Sequence, residues 1–201
     1  MMKYTIKTDV QARIKVLRSE FIGFLYRVED AGVAQEILRK HQNDYQNATH
    51  NCYAYVLGYD AETQYYSDAG EPGGTAGKPI LNSLLRNDLS GVLAVVTRYY
   101  GGIKLGVKGL IDAYTEATTE AIALAELHEY QKYLYFSLTS TYSQIEIIRH
   151  QLSVLGAEEL NADYAGDVRL RYRIAEICKE PVQEFLNGYK APGKLEYQME
   201  V

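Results

Sequence analysis

The sequence predicts an α+β protein of two domains, and three observations carry that prediction. Beyond residue 130 the apolar pattern switches from period two to period 3.6 and back, in the order βαββαβ. The run Val92-Leu93-Ala94-Val95-Val96 is continuously apolar, as burial on both faces of a sheet requires. Directly after it, between Val95 and Leu110, strand character gives way to a glycine-rich turn and then to helix, a junction of the kind that presents ligands.

In chain order, residues 4–28 are strand-like, with Gly23 read as a bulge or bend. Asp30 caps a helix to about residue 44 that turns Val33, Ile37 and Leu38 inward. Residues 49–57 read as a strand and 64–67 as a shorter one. A glycine-rich loop then delivers the chain to Pro79, a favoured first helical residue, and a helix follows to about residue 86. Residues 90–100 form the central strand. The last helix of this part spans about 106–127, where Ala113, Ala117 and Ala121 make a small-residue stripe that lets a helix lie close to a sheet. Residues 128–132 read as a linker.

The second part opens with alternation over 133–142, Leu134, Phe136 and Leu138 sharing a face. Ser143 caps a helix with Ile145, Ile148, Leu152 and Leu155 on one stripe, and Gly156 ends it. Strands over 158–164 and 168–175, joined by the turn Ala165-Gly166-Asp167, precede a helix at about 181–189 and a strand at 195–201. That order is ferredoxin-like. Arg169, Arg171 and Arg173 share a face and invite comparison with an RNA platform. Aligning the apolar faces of the hairpin sets Tyr164 opposite Val168, Ala162 opposite Leu170, Asp163 opposite Arg169 and Glu159 opposite Arg173, which neutralises most of that stripe.

Composition narrows the function classes. The 201 residues carry 21 Lys plus Arg against 26 Asp plus Glu, a net charge of −5. Neither part is basic, with 13 basic and 16 acidic residues up to residue 130 and 8 and 10 after it, so a general nucleic-acid coat is excluded. With no apolar block of signal-peptide length at the N-terminus and no stretch near the roughly 20 apolar residues of a membrane span, the expectation is a cytoplasmic protein without a membrane partner. Cys52 and Cys178 are too few for a disulfide framework or a structural zinc site, and both are expected reduced.

Three segments concentrate the chemistry: Ala48-Thr49-His50-Asn51-Cys52-Tyr53-Ala54-Tyr55, the loop from Ser67 to Pro79, and the junction from Val95 to Leu110. Glycine loops before helices suggest phosphate binding, because helix N-terminal N–H groups attract anions. Neither loop matches a nucleotide fingerprint. A Walker loop ending at Gly77-Lys78 would need glycine where Pro72 stands and Ser or Thr where Pro79 stands, and the spacing near Gly101 fails the dinucleotide pattern. Gly70, Gly74, Gly77, Gly101, Gly102 and Gly106 are turn residues on either reading. Beside them Asp68, Glu71, Thr75, Arg98, Tyr99 and Lys104 are polar groups at strand ends and loops. If the loops meet, two arrangements are open: Arg98 and Lys104 bind an anion while Asp68 and Glu71 hold them, or Glu71 pairs with Arg98 simply to lock the loops.

His50 and Cys52 share a strand face without a third orienting group, so Cys52 reads as a small core residue rather than a nucleophile. His50 and Asn51 brace a loop at the strand entrance, and Tyr53 joins them as a binding candidate. Asp60, Glu62 and Asp68 are acidic loop residues that fix no coordination shell, so neither a metal nor a cofactor is expected.

In order and spacing the three segments resemble the signature of the IMPACT family, the group that includes the bacterial YigZ-like proteins, over the first two thirds of the chain. The resemblance implies an IMPACT-type N-terminal domain over 1–130 with the fold of the second domain of ribosomal protein S5, followed by the ferredoxin-like domain over 131–201. It implies a non-catalytic binding or regulatory protein linked to translation regulation or the stress response, with a ribosome, RNA or a translation-associated protein as partner. The rival is an enzyme or sensor for a phosphorylated or acidic small molecule, in a pocket lined by Glu71, Thr75, Arg98 and Lys104. Four positions depart from the family pattern: Ala69 for aspartate, Gly73 for serine, Lys108 for glycine and Asp112 for arginine. Asp112 reverses a charge beside the second glycine loop, with Lys108 the nearby cation.

Overall fold

Turn residues break the N-terminal extended stretch into three strands, β1 (Tyr4–Ile6), β2 (Val10–Val16) and β3 (Ser19–Arg27). These and the elements below come from a computed structural model that describes residues 3–164, 167–189 and 195–200. The chain divides into two compact units, Met1–Tyr130 and Gln131–Val201.

In the first unit, α1 (Ala31–Asp44), β4 (His50–Leu57), β5 (Thr63–Ser67), α2 (Gly77–Arg86), β6 (Val92–Tyr99), α3 (Gly106–Leu124) and β7 (Leu127–Glu129) follow. One antiparallel sheet has the order β2-β3-β6-β4-β5, and β1 pairs with β7 in a small second sheet. Residues 127–129 therefore belong to a strand, neither to the tail of α3 nor to a linker. The central β6 is apolar on both sides because each side is covered. Val92, Ala94 and Val96 join a core with Ile80 and Leu84 of α2 and Leu110, Ala113 and Tyr114 of α3. Leu93 and Val95 join a second core with Ala34 and Leu38 of α1. The result is an α+β fold with helices covering both faces of one antiparallel sheet.

Two sequence expectations change here. Gly23 is no bulge: it pairs in unbroken register with Ala12 and Val96. Its role is close approach, because a Cβ there would lie 2.3 Å from the Ala117 carbonyl oxygen. The alanine stripe of α3 and the missing side chain of Gly23 are two halves of one contact. Val33 is exposed, since the cap at Asp30, whose Oδ1 accepts the Val33 N–H at 2.9 Å, rotates Ala34, Leu38 and His41 inward instead.

His41 is 3% exposed and forms the centre of a hydrogen-bonded chain on the α1 face. Thr97 Oγ1 donates to Asn51 Oδ1 at 2.8 Å, and Asn51 Nδ2 donates to the Tyr45 carbonyl at 3.3 Å. With its proton committed, Thr97 accepts from His41 Nε2–H at 2.8 Å. His41 Nδ1 is then the acceptor for the Tyr26 hydroxyl at 2.7 Å. The direction of every bond is set by one threonine proton. Burial pushes the His41 pKa down to about 4.

The second unit comprises β8 (Tyr133–Ser140), α4 (Ile145–Val154), β9 (Glu158–Asp163), β10 (Val168–Ala175), a single 3₁₀ turn at Glu176–Cys178, α5 (Lys179–Gly188) and β11 (Leu195–Glu200). The sheet order β11-β8-β10-β9, antiparallel throughout, is ferredoxin-like. Phe136, Leu138, Leu170, Tyr172 and Ile174 of the sheet pack on Ile148, Leu152, Val182 and Leu186 of the helices. Ser143 does not cap α4; Gln144 occupies that position without a side-chain bond, and Ser143 Oγ lies 3.1 Å from Thr141 Oγ1. Gly156 follows the helix at φ +81. Asp163 faces Arg169 and Ala162 faces Leu170, but a bulge between Arg171 and Tyr172 shifts the rest. Glu158 rather than Glu159 therefore faces Arg173, at 2.5 Å, while Glu159 accepts from Arg149 at 2.8 Å and from the Tyr172 hydroxyl at 3.0 Å. Arg171 is bridged by Glu200 at 2.6 Å. Ala165 and Gly166 of the expected turn and Val201 of the expected last strand lie outside the described residues.

Because each unit has its own buried cluster, we expect residues 131–201 expressed alone to unfold cooperatively in urea; a gradual, non-sigmoidal transition would show that this core depends on the first unit. The His41 network generates a pH prediction. A folded-state pKa of about 4, below the ordinary value, means that the unfolded chain binds the extra proton between about pH 6.5 and pH 4. This contribution is fully present above pH 6.5 and is lost as pH falls toward 4, by roughly 3 kcal/mol. Urea titrations of His41→Gln should show a flatter loss of stability over that window than the parent protein shows.

Candidate functional site

Strand alternation places Arg98, His50 and Phe21 on the α2/α3 side of the sheet, where Arg98 is the cross-strand neighbour of both others. The loop between β5 and α2 swings Glu71 onto the same spot. Arg98 Nη1 donates to Glu71 Oε1 at 2.5 Å, and the residues are 5% and 9% exposed. The Tyr114 hydroxyl of α3 donates to the same oxygen at 2.8 Å. The guanidinium lies 5.3 Å from the ring centroids of both Phe21 and Tyr100. Its Nη2 reaches Ser19 Oγ at 3.5 Å.

Around the pair the loops are stitched by backbone bonds. Asp68 spends its carboxylate on the N–H groups of Gly74 (2.9 Å), Ala76 (3.0 Å) and Gly77 (2.8 Å). That explains why α2 begins at Gly77, two residues before Pro79: its N-terminal donors are capped by a side chain from the preceding strand end. Thr75 is buried, and its hydroxyl donates to the Pro72 carbonyl at 2.7 Å. A Cβ on Gly77 would lie 2.7 Å from Ser67 backbone, and one on Gly101 would lie 1.8 Å from the Arg18 carbonyl oxygen. Gly70, Gly74, Gly102 and Gly106 all have positive φ. His50 Nδ1–H donates to the Ala69 carbonyl at 2.9 Å and leaves Nε2 4.0 Å from Glu71.

His50, Asp68, Glu71, Thr75 and Arg98 are thus brought together with the first glycine loop, while Asn51, Tyr53 and Tyr99 are not. Asn51 serves the His41 chain on the other side of the sheet. Tyr53 stacks on Tyr65 with centroids 6.0 Å apart and packs against the α1 core. Tyr99 alternates to that side too. Lys104 stands exposed on the second glycine turn. Asp68 holds backbone rather than cations, and of the residues expected to line a pocket Glu71 and Arg98 are buried against each other and Thr75 is buried on the Pro72 carbonyl, while Lys104 is exposed.

Sequence reasoning missed Tyr114 and Ser19. The available signal was a tyrosine inside a buried helical stripe, whose hydroxyl needs a polar partner. Cys52 Sγ lies 3.3 Å from the Tyr114 hydroxyl and 3.0 Å from the Asp68 carbonyl. Burial pushes its thiol up to about 12, far from a reactive thiolate. A separate groove of about 600 Å³ runs between α2 and α3, with Lys78 and Arg86 on one wall and Asp112, Glu116 and Glu120 on the other. Among the described residues no three His, Cys, Asp or Glu side chains gather to hold a metal, and no helix is long and apolar enough to cross a membrane.

Residues 17–122, which contain this cluster, match the family described as the Impact N-terminal domain. The IMPACT family member YvyE of Bacillus subtilis is 45% identical over 119 residues, which are 59% of this chain and 55% of that protein, so the match spans about half of the relative's length. An IMPACT family member of Haemophilus influenzae is 32% identical over 202 residues, covering 99% of this chain and 98% of the relative. A solved structure described as "Crystal structure of an hypothetical protein" has a TM-score of 0.77 at 28% identity, with 98% of this chain and 96% of that chain covered. With over half of the chain inside the family match and nearly its full length aligned to a member, the protein belongs to the IMPACT family.

Proposed function

We propose that the protein works by binding, not by catalysis, and that its partner belongs to the translation machinery. The observation that carries the first half is the state of the motif charges: Glu71 and Arg98 are buried and bonded to each other, to Tyr114 and to Ser19, with the Arg98 Nε left without a hydrogen-bond partner among the described residues. Their effect is to fix the turn from Tyr100 to Gly106, which is largely exposed. A site for an acidic small molecule would need Arg98 open to solvent, and a thiol enzyme would need a Cys52 of lowered pKa. The translation link is supported by the family's motifs, since the family they resemble is tied to regulation of translation.

The test is co-sedimentation of the tagged full-length protein with ribosomes and translation factors from lysate. The expected outcome is a salt-sensitive fraction travelling with the ribosomal peak. A protein that stays wholly at the top of the gradient at low salt would overturn the translation assignment. The scaffold role makes a separate prediction: Arg98→Ala leaves Glu71 buried without its cation and should cost about 3–5 kcal/mol of stability in urea titration. A folded, fully stable Arg98→Ala protein with lost partner binding would instead make Arg98 a contact residue.

A further inference from the structure

Leu17 occupies the apex of the two-residue turn between β2 and β3, with φ +54 and 66% exposure. Left-handed backbone is costly for a residue with a branched side chain, and such hairpin turns favour glycine, asparagine or aspartate. Neither the conformation nor the exposure of Leu17 helps the fold. The apex is joined to the second glycine turn, because Gly101 packs directly on the Arg18 backbone and donates its N–H to Ser19 Oγ at 3.2 Å. Three more large apolar side chains are exposed on that turn and the helix start behind it: Tyr100, Ile103 and Val107, the last at 62%. Four exposed apolar groups thus lie on two turns joined at Gly101, and the Tyr100 ring among them rests on the guanidinium of the buried Glu71–Arg98 pair.

The charges around this patch specify what covers it. Lys104 and Lys108 are exposed on the same turn and helix start as Ile103 and Val107. The first turn of α3 contains no acidic residue, and no side chain caps its N–H groups. Two lysines therefore add to the positive end of the helix dipole instead of offsetting it. Of the neighbouring carboxylates, Glu20 is engaged by Arg13 at 3.1 Å, and Asp112 faces the α2/α3 groove. A local cationic rim on a chain of net charge −5 selects a negatively charged partner. Leu17, Ile103 and Val107 offer no stacking surface for bases, and the Tyr100 ring already covers the Arg98 guanidinium, which disfavours single-stranded RNA.

Resting on the binding reading above, we propose that the hairpin apex and the second glycine turn form a docking surface for an acidic protein segment carrying aliphatic side chains, with Leu17, Ile103 and Val107 as apolar anchors and Lys104 and Lys108 as charge partners.

The test uses purified full-length protein and fluorescence anisotropy with a short labelled peptide of interspersed Glu and Leu, the same peptide with Gln or Lys in place of Glu, and an oligouridine of similar length. The acidic peptide should bind in a salt-sensitive manner, the Gln version about tenfold more weakly, and the Lys version not detectably. The double variant Lys104→Glu, Lys108→Glu should lose binding by about tenfold or more. Leu17→Asn should lose it by a similar factor while its melting temperature holds or rises, since asparagine tolerates positive φ. An acidic peptide that does not bind, or binds equally well to these variants, overturns the proposal; so does oligouridine binding in its place with the same sensitivity to the two lysines. A protein that binds the acidic peptide but never sediments with ribosomes removes the translation link and leaves this surface standing, whereas sedimentation unaffected by the lysine and leucine variants does the reverse.

Discussion

The buried Glu71–Arg98 ion pair is the constraint on which the first unit's geometry depends. Each charge is expensive to take out of water, and the surroundings offset part of that cost: Tyr114 adds a second donor to the carboxylate, while Phe21 and Tyr100 flank a guanidinium whose Nε has no hydrogen-bond partner among the described residues. Those partners come from β3, from the far end of β6 and from α3, so one interaction ties separate elements together. A hydrophobic contact would hold them as strongly without specifying their orientation. The short, directional bond from Nη1 to Oε1 instead fixes where the first glycine loop crosses the sheet and how the second one leaves it.

Asp68 plays the complementary part in backbone chemistry. Its three accepted N–H bonds turn a loop rich in glycine, whose unfolded state is entropically favoured, into one defined path ending at the α2 N-terminus. Against this runs Ala69, held at φ +44 one residue later. Asparagine or aspartate tolerates left-handed backbone better than alanine does. The loop is therefore kept in shape by its neighbours: His50 donates to the Ala69 carbonyl, and Ser67 Oγ accepts the Ala69 N–H at 3.2 Å. Strain at a non-glycine residue is tolerated where the surrounding bonds over-determine the conformation.

Much of this was legible in the sequence because it rests on periodicity. The doubly buried β6, the ferredoxin-like order and the Asp30 cap follow from side-chain direction, which repeats every two or 3.6 residues. What periodicity does not encode is which distant groups meet. Gly23 looked like a bend because a glycine inside a strand has several uses, and only the position of Ala117 distinguishes close approach from bulge. The Arg173 partner was misplaced by one residue because Leu160 is skipped in the ladder between β9 and β10, a local irregularity with no sequence signature. Adjacent residues of one motif also proved to serve different cores. His50 and Asn51 read as one polar pair, yet a strand sends them to opposite sides, one to the ion-pair cluster and the other to the His41 chain.

The same separation of inside from outside explains why motif residues and contact residues need not coincide. Asp68, Glu71, Thr75 and Arg98 are consumed in building the fold, whereas Ile103, Lys104 and Val107 of the second glycine junction, together with Leu17, remain exposed. Charge along α3 follows a parallel division. Lys108 lies at its positive end, and Asp112, Glu116 and Glu120 line the groove opposite Lys78 and Arg86. Asp112 adds negative charge to the groove and leaves the positive character concentrated at the helix start. Substituting one residue on a rigid helix thus redraws the surface potential without disturbing the buried pair, so that a shared scaffold can carry different partner preferences.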